Sequence, residues 1–242
     1  MLKIKQVTKN FGGVRALDKC SLEIEKEKII AIIGPNGSGK STLFNVISNL
    51  IKKDSGRIYL DKEDITEKED FNIAKLGISR TFQEVRLFRN LTIKDHLEIA
   101  LLESDEKLIR SLFGKREDNE KRIKDILNLV GFDKPLDTHA TELSYGQRKL
   151  LDLAIAIAKP HKILMLDEPV AGVNPKLRKG IKEILRKLRK KGDTILIIEH
   201  DMNFVMDLAD YVFVLDYGKV IAHGTPRKIQ NNKKVLEAYL GE

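Results

Sequence analysis

The feature that most constrains the fold of this chain is a glycine-rich run that directly follows a short apolar segment. Ile29–Ile33 contains only isoleucine and alanine, a composition that favours a fully buried strand. Residues 34–42 then read Gly-Pro-Asn-Gly-Ser-Gly-Lys-Ser-Thr, and residues 40–50 have the spacing of a helix. A strand, a glycine-rich turn and a helix in this order are the context of the phosphate-binding pattern G-x-x-x-x-G-K-[ST]. The sequence therefore predicts an α/β core that binds a nucleotide.

Each residue type in this loop contributes to phosphate binding in a different way. Glycines allow successive backbone N–H groups to turn towards a phosphate, and the helix that follows adds its positive N-terminus. Lys40 is expected to reach the β- and γ-phosphates, and the Ser41 hydroxyl is a candidate ligand of Mg²⁺. The predicted nucleotide-binding residues of the loop are Gly34, Pro35, Asn36, Gly37, Ser38, Gly39, Lys40, Ser41 and Thr42.

Two adjacent carboxylates end another apolar segment. Residues 163–166 are wholly apolar, and Asp167 and Glu168 follow them. The C-terminal end of a parallel strand is where α/β sheets place their ligands. We expect Asp167 to hold Mg²⁺ through its water shell and Glu168 to polarise an attacking water. A charged pair at a strand end is common by itself, and it indicates hydrolysis only together with the phosphate-binding loop.

The segment Leu-Ser-Tyr-Gly-Gln at residues 143–147 allows two interpretations. Ser144 followed three residues later by Gln147 has the pattern of a capping box at the start of a helix. Ser144 and the N–H groups of the same helix end could equally be directed at a phosphate. The local pattern leaves both interpretations open.

The rest of the chain alternates strands with helices around one purely helical stretch. From Leu91 to Val130 the apolar residues, Leu108 and Leu112 among them, recur at helical spacing, and a further helix begins near Ser144. We therefore predict an α/β sheet domain with an all-helical insertion at about residues 86–158. The other predicted elements are strands at 2–7, 21–24, 57–60, 78–82 and 195–198, a hairpin of 211–215 with 220–222, and a helix that starts at Thr225 and Pro226.

Composition excludes several classes of protein. The 242 residues are 42% apolar and 33% charged, as expected of a globular chain with a sizeable core. Its apolar runs are too short to span a bilayer, and residues 1–8 alternate Lys with apolar residues, unlike a signal peptide. We therefore expect a cytosolic location. Cys20 is the only cysteine, which excludes a disulfide framework and a thiolate metal cluster.

The formal net charge of +8 is concentrated at residues 176–191. Leu177, Ile181, Ile184, Leu185 and Leu188 fall at helical spacing there, which predicts one amphipathic helix with a basic outer face. A surface that binds nucleic acid or anionic lipid is the alternative interpretation. A solvated helix face is favoured, because no aromatic residues are interleaved and no nucleic-acid-binding motif is present.

The order and spacing of these elements resemble the ABC ATPase family, whose signature motif is LSGGQ. The resemblance implies ATP and Mg²⁺ as ligands, with Ser144, Gly146 and Gln147 contacting the nucleotide. It also implies that Phe11 stacks on adenine, that Gln83 senses Mg²⁺ and the membrane partner, and that His200 contacts the γ-phosphate. Residues 171–174 match the D-loop. Catalytic roles then fall to Glu168, His200 and Gln83, and metal-binding roles to Ser41, Gln83 and Asp167.

The implied fold is a P-loop NTPase (RecA-like) α/β core sheet with antiparallel N-terminal strands and an inserted helical subdomain. One ABC ATPase domain would fill residues 1–242, with the catalytic core at 1–85 and 159–242 and the helical subdomain at 86–158. Two residues depart from the family pattern: Tyr145 stands in place of a glycine and Asn174 in place of the usual aspartate.

The resemblance also implies partners. The signature of one subunit completes the ATP site of a second ABC ATPase subunit, identical or different, and hydrolysis lets the two part. Two transmembrane permease subunits and, indirectly, an external substrate-binding protein would complete the transporter. The chain would then lie at the cytoplasmic, inner face of the membrane as a peripheral subunit, and no nucleic acid is expected.

Four segments are similar to the ATPase subunits of branched-chain amino acid importers: residues 80–92, 166–175, 198–202 and 238–242. The ATPases of urea importers and of lipopolysaccharide export are similar over the same segments. A soluble ABC ATPase acting on DNA or the ribosome is disfavoured, since such chains carry long coiled coils or two P-loops. A small-molecule kinase would need no signature, and a regulator that does not hydrolyse ATP would need neither Glu168 nor His200.

Overall fold

The computed structural model describes residues 2–102 and 116–240. Its strands and helices alternate along the chain, with two strands at the start and a helical stretch in the middle. The strands are β1 (Leu2–Phe11), β2 (Val14–Ile24), β3 (Ile29–Ile33), β4 (Ser55–Leu60), β5 (Glu63–Asp64), β6 (Ile78–Arg80), β7 (Ile163–Asp167), β8 (Thr194–Ile198), β9 (Tyr211–Asp216) and β10 (Lys219–Gly224). The helices are α1 (Lys40–Ile47), α2 (Asp70–Lys75), α3 (Ile93–Leu101), α4 (Arg116–Val130), α5 (Tyr145–Ala158), α6 (Pro175–Lys190), α7 (Met202–Leu208), α8 (Pro226–Gln230) and α9 (Lys233–Leu240).

These strands form two sheets. The first has the order β2-β1-β4-β5 and is antiparallel. The second has the order β10-β9-β3-β8-β7-β6, and all its neighbouring pairs are parallel except β9 with β10. In this order β3 and β7 are separated only by β8, so the loops that follow them open at the same edge. The predicted core sheet with antiparallel N-terminal strands is confirmed.

The central sheet is buried on both faces. All five residues of β3 are buried, and they alternate between two apolar clusters. Ile30 and Ile32 pack into the cluster that contains the first sheet and α1, whereas Ile29, Ala31 and Ile33 face the cluster formed with most of the other helices. Each buried isoleucine side chain stabilises the fold by roughly 2 kcal/mol. The apolar run thus fixes β3, and with it the start of the glycine-rich loop.

The first two strands are longer than predicted. β1 continues to Phe11 and β2 begins at Val14, beyond the predicted ranges 2–7 and 21–24. Several register shifts interrupt the pairing of β1 with β2, so apolar and polar residues do not alternate regularly over these positions. Cys20 is a buried residue of β2.

Other predicted boundaries were wrong by two or three residues. β6 ends at Arg80, not at 82, and α1 ends at Ile47, not at 50. The hairpin of β9 and β10 is confirmed, and its turn has positive φ at both Tyr217 (42°) and Gly218 (74°), as a two-residue turn of type I′ requires. The predicted start of α8 is confirmed too, with Thr225 as its N-cap and Pro226 as its first residue.

The helical stretch contains α3, α4 and α5, and Leu108 and Leu112 lie outside the described residues. α5 also packs on the central sheet: the Ser79 hydroxyl of β6 donates a hydrogen bond of 2.8 Å to the carbonyl of Ala156. The C-terminal half of α5 therefore packs against the central sheet as well as against the helical stretch.

The basic segment forms α6, with Ile181, Ile184, Leu185 and Leu188 buried as predicted. Basic residues of its outer face form ion pairs with acidic residues of the segment 201–210. Arg178 pairs with Asp201, Lys182 and Arg186 pair with Asp207, and Arg189 pairs with Asp210. Surface pairs of this kind contribute at most about 1 kcal/mol each, but they neutralise part of the basic face. Within the described residues, none of the helices has the length and apolar character to span a bilayer.

Candidate functional site

The glycine-rich loop follows β3 and leads directly into α1. Gly34, Gly37 and Gly39 all have positive φ, at 151°, 76° and 102°. A Cβ atom on Gly34 would lie 2.0 Å from the carbonyl oxygen of Leu215 in β9, and one on Gly39 would lie 2.4 Å from that of Ala16 in β2. Only glycine fits at both positions. The loop is therefore held between β9 of the central sheet and β2 of the first sheet.

The turn between β9 and β10 supports the same loop from its other side. The N–H of Gly218 donates to the carbonyl of Ser38 at 2.9 Å, and the carbonyl of Gly218 accepts from the N–H of Asp18 at 3.0 Å. A Cβ atom on Gly218 would lie 2.7 Å from the carbonyl oxygen of Ala16. These contacts fix the loop from elements about 180 residues further along the chain, which no local pattern could reveal.

Lys40 is the first residue of α1 and its side chain is buried. Its ammonium group donates hydrogen bonds to the carbonyls of Gly34 (2.8 Å) and Pro35 (2.7 Å) and lies 3.4 Å from the hydroxyl of Ser38. The cation is thus held inside the loop by the loop's own backbone. Ser41 is exposed in the first turn of α1, Thr42 is half-buried, and Asn36 and Gly37 are exposed at the top of the loop.

Asp167, at the end of β7, forms a buried ion pair with Arg80, at the end of the neighbouring β6. Arg80 Nη2 lies 3.1 Å from Asp167 Oδ2, and the two side chains are 7% and 3% exposed. The guanidinium also bonds the Ser48 hydroxyl at 2.9 Å and stacks on the ring of Phe82. Burial raises the pKa of the Asp167 carboxyl, and the charge of Arg80 opposes that shift. The second carboxylate oxygen, Oδ1, is buried and has no hydrogen-bond partner.

The variant Arg80→Met should lose about 3 kcal/mol of unfolding free energy, because it leaves the Asp167 carboxylate buried without its cation. The loss should be smaller at pH 5 than at pH 8. A carboxyl whose folded pKa is raised destabilises the fold only at pH values where it ionises. Urea denaturation at the two pH values measures this. The double variant Arg80→Met/Asp167→Asn should recover at least about 1 kcal/mol at pH 8, and equal losses in the single and double variants would contradict the assignment.

Glu168 lies at the centre of a group of three predicted catalytic side chains. Its Oε1 is 2.8 Å from Nε2 of His200, and its Oε2 accepts a hydrogen bond of 3.2 Å from Nε2 of Gln83. The Glu168 side chain is 13% exposed and that of His200 is 41% exposed. Glu168 also has φ of 48°, an uncommon left-handed backbone that is typical of functional sites. Gln83, Glu168 and His200 thus meet at the carboxyl edge of the central sheet, where Asp167 ends β7.

Two buried charged residues of this group were missed by the sequence interpretation. Lys149 of α5 donates to the carbonyls of Gln83 (3.0 Å) and Glu168 (3.2 Å), and burial lowers its pKa. Glu199 accepts from the N–H groups of Val170 (2.9 Å) and His200 (3.2 Å), and burial raises its pKa. The available signal for Lys149 was its place on the buried face of α5, one helical turn before Leu153.

The segment 143–147 forms the capping box that its local pattern predicts. Ser144 is the N-cap of α5; its hydroxyl accepts from the N–H of Gln147 at 3.4 Å, and the Gln147 side chain accepts from the N–H of Ser144 at 2.9 Å. Ser144, Gly146 and Gln147 line a pocket of about 630 Å³ whose described lining includes none of residues 34–42. Within one chain, the structure therefore does not place the signature segment in the same pocket as the glycine-rich loop.

Phe11 ends β1 at the tip of the first hairpin and is 46% exposed. The ammonium group of Lys9 lies 5.3 Å from the centre of its ring. The following strand, β2, includes Ala16, whose carbonyl oxygen would lie 2.4 Å from a Cβ atom on Gly39. Phe11 is therefore an exposed aromatic ring on the hairpin that supports the glycine-rich loop, where the sequence predicted an adenine contact.

The sequence model of the ABC transporter family matches residues 17–171, which is more than half of the chain. The chain belongs to the ABC transporter family. A second model, described as a branched-chain amino acid ATP-binding cassette transporter, matches residues 219–242.

Two curated relatives of this ABC protein match nearly end to end. The probable branched-chain amino acid transport ATP-binding protein LivG of Archaeoglobus fulgidus is 38% identical over 245 residues, covering 100% of this chain and 95% of the relative. The high-affinity branched-chain amino acid transport ATP-binding protein LivG of Escherichia coli strain K12 is 37% identical over 253 residues, covering 100% and 98%. The predicted resemblance to this branch of the family is confirmed.

Solved structures confirm the predicted ABC ATPase fold. The ADP conformation of an ATP-binding cassette of an ABC transporter has a TM-score of 0.87 and 38% identity, and the match covers 100% of this chain and 99% of that chain. A dimeric bacterial ABC transporter cassette has a TM-score of 0.84 and 27% identity, covering 94% and 99%. The first of these cassettes holds a nucleotide, and the second shows that cassettes of this fold form dimers.

Both departures from the ABC pattern are compatible with the local structure around them. The Tyr145 hydroxyl donates to the carbonyl of Ala171 at 3.3 Å, so the signature segment is bonded to residues 171–174. Asn174 is the N-cap of α6 and accepts from the N–H of Leu177 at 2.9 Å, a bond that an aspartate would make equally well. Both residues thus keep the local geometry of their segments.

Proposed function

We propose that the chain is the ATP-hydrolysing subunit of an importer of branched-chain amino acids. The observation that carries the hydrolytic part is the placement of Glu168 between His200 and Gln83, at the sheet edge from which the glycine-rich loop also rises. The substrate class rests on the names of the relatives and on the match of residues 219–242 to the branched-chain amino acid cassette model.

In this proposal the triphosphate of ATP lies in the glycine-rich loop. The N–H groups of residues 34–42 and the N-terminus of α1 face the phosphates. The buried ammonium of Lys40, now bonded to two loop carbonyls, exchanges these neutral acceptors for anionic phosphate oxygens, so that donor and acceptor both carry charge and attract each other more strongly. The exposed ring of Phe11 offers a stacking surface for adenine, and such stacking contributes about 1–3 kcal/mol.

The residues around Asp167 fit a magnesium ion. Its Oδ1 is a buried acceptor without a partner in the structure, and the Ser41 hydroxyl is exposed in the first turn of α1. In the described part of the chain, no group of three or more His, Cys, Asp or Glu side chains could hold a metal ion. Ser41 and Asp167, with Gln83 nearby, would therefore share the ion with the phosphates of the nucleotide. The ion would supply positive charge to the phosphates as the bond breaks.

The remaining groups carry out hydrolysis. Glu168 accepts a hydrogen bond from the attacking water and directs it at the γ-phosphate. His200 holds one oxygen of the Glu168 carboxylate and reaches the γ-phosphate from its partly exposed ring. Gln83 donates a hydrogen bond to the other oxygen, so a movement of the Glu168 carboxylate also shifts the loop that carries Gln83.

A second ABC ATPase subunit, identical or different, completes each site. Ser144, Gly146 and Gln147 lie at the N-terminus of α5, which favours an anion, and they line a pocket apart from this chain's own glycine-rich loop. They would bind the nucleotide held by the partner subunit, as the dimeric state of a related cassette supports. Two ATP molecules are then enclosed between two subunits.

A groove beside the Gln83 loop is the proposed docking site for a permease. It has a volume of about 270 Å³, and Leu50 and Phe71 on its rim are 45% and 50% exposed. Phe82 and Ile155 line its floor, so it lies between the proposed catalytic core (1–85 and 159–242) and helical subdomain (86–158). Two permeases and an external binding protein complete the importer, with this chain peripheral at the cytoplasmic, inner face of the membrane.

Deleting the gene in its own organism tests the proposed substrate. We expect the uptake of labelled leucine, isoleucine and valine to fall at least about tenfold, while uptake of labelled urea stays unchanged. The wild-type gene should restore uptake and the Glu168→Gln variant should not. Unchanged leucine uptake together with a loss of urea uptake would overturn the substrate assignment and leave the ATPase assignment intact.

A further inference from the structure

Lys149 is a buried lysine that contacts two of the catalytic segments at once. It lies on α5 within one turn of Gly146 and is 5% exposed. Its ammonium group donates to the carbonyl oxygen of Gln83 at 3.0 Å and to that of Glu168 at 3.2 Å. Burying an ammonium group is costly unless it is hydrogen-bonded, and here both bonds end on backbone atoms of residues assigned to the hydrolysis site.

These two carbonyls belong to residues whose side chains also meet. Gln83 and Glu168 are joined by a side-chain hydrogen bond of 3.2 Å, so Lys149 fixes the backbone on both sides of that contact. Glu168 has φ of 48°, and a non-glycine residue in such a conformation is strained unless its surroundings hold it. The bond from Lys149 to the Glu168 carbonyl is one such restraint. The bond from the N–H of Ala171 to the same carbonyl, at 3.2 Å, is another.

The position of Lys149 on α5 adds a second role. The first turn of this helix carries Ser144, Gly146 and Gln147, the residues proposed to bind the partner's nucleotide. A movement of α5 along or around its axis would carry the ammonium group with it and strain its bonds to Gln83 and Glu168. The same side chain thus connects the signature segment, the Gln83 loop and the end of β7 within one subunit.

We propose that Lys149 is a positioning residue for hydrolysis: it holds the backbone of Glu168 and Gln83 so that the Glu168 carboxylate faces the attacking water, and it makes that alignment depend on the position of α5. The inference rests on the proposed role of Glu168. It involves no contact between Lys149 and ATP, and it therefore predicts a loss of turnover without a loss of nucleotide affinity.

The test compares Lys149→Met, which keeps the length of the stem but removes the donors, with Lys149→Arg, which restores donors. Lys124→Met is the matched control, because Lys124 is exposed on α4. We expect kcat for ATP to fall at least about tenfold in Lys149→Met, with KM and the Kd of a fluorescent ATP analogue within about twofold of wild type. The kcat of Lys149→Arg should be at least about threefold higher than that of Lys149→Met. A wild-type kcat in folded Lys149→Met would overturn the proposal.

Amide hydrogen exchange of the nucleotide-free chain gives an independent readout. The N–H of Ala171 bonds the Glu168 carbonyl that Lys149 holds, so we expect its exchange to accelerate at least about fivefold in Lys149→Met and not in Lys124→Met. Unchanged protection would contradict the positioning role. If Lys149→Met fails to fold, Lys149→Gln takes its place, with the same expected loss of kcat and protection and the same contradicting outcomes.

The Glu168→Gln variant, assayed in parallel, separates this inference from the function on which it rests. Near-zero turnover in Glu168→Gln with wild-type turnover in Lys149→Met would refute the role of Lys149 and leave that of Glu168 standing. Wild-type turnover in Glu168→Gln would instead refute the role of Glu168.

Discussion

Replacing Glu168 by glutamine should lower steady-state ATP hydrolysis at least about a hundredfold while ATP affinity stays within about threefold of wild type. A positioned general base contributes typically 10²–10⁴-fold to a rate, and the variant removes this group while keeping its shape. The backbone of Glu168 is held by Lys149 and by the carbonyl of Ile198, so the new amide should remain at the same place. Only the ability to accept a proton from water is lost.

Phosphate release and the binding of a fluorescent ATP analogue measure the two halves of this prediction. Glu183→Gln is the matched control, since Glu183 is an exposed glutamate of α6, and it should hydrolyse ATP at the wild-type rate. Turnover within threefold of wild type in Glu168→Gln would show that another group orients the water. His200 would then be the first residue to examine, because it touches the same carboxylate.

Replacing Lys40 by methionine should weaken ATP binding at least about a hundredfold. The ammonium group lies inside the loop and bonds the carbonyls of Gly34 and Pro35, which are neutral acceptors, whereas phosphate oxygens carry charge. The attraction between an ammonium group and an anionic oxygen exceeds that between an ammonium group and a neutral carbonyl oxygen, so the contacts of Lys40 become stronger when the nucleotide binds. Methionine fills the same space and offers no donor.

Calorimetric titration with ATP and with ADP measures this effect. The loss should be larger for ATP, since the proposed contact of Lys40 reaches the γ-phosphate. Lys187→Met, a change at an exposed position of α6, serves as the control and should bind both nucleotides normally. An affinity for ATP within threefold of wild type in Lys40→Met would contradict the placement of the triphosphate in this loop.

Features that depend on neighbouring residues in the chain could be predicted from the sequence. The apolar run of β3, the glycine-rich loop, the capping box at Ser144 and the Asp-Tyr-Gly turn at residues 216–218 each combine a local pattern with a local conformation, and each is present in the structure. Glu168 also meets Gln83 and His200, the two residues that the family resemblance added, because neighbouring parallel strands end on the same side.

Features that depend on residues far apart in the chain could not be predicted from the sequence. The bonds of Lys149 to Gln83 and Glu168 span 66 and 19 residues, and the Arg80–Asp167 pair spans 87. Their signals in the sequence were only charged residues at positions where the periodicity predicts burial. The extension of β1 to Phe11 depends on its pairing with β2 through several register shifts, which a pattern of alternation does not encode. Tertiary contacts decide such cases.

We expect two copies of this chain to enclose ATP, and the most direct test is the mass of the Glu168→Gln variant in solution, measured by light scattering with and without ATP. We predict a monomer of about 27.5 kDa without nucleotide and a dimer of twice that mass with ATP and Mg²⁺. Adding Ser144→Arg, which places a bulky side chain at the N-terminus of α5, should prevent the dimer and leave ATP binding to the monomer intact. A protein that binds ATP tightly and remains monomeric at all concentrations would contradict pairing of this chain with itself through its signature segment.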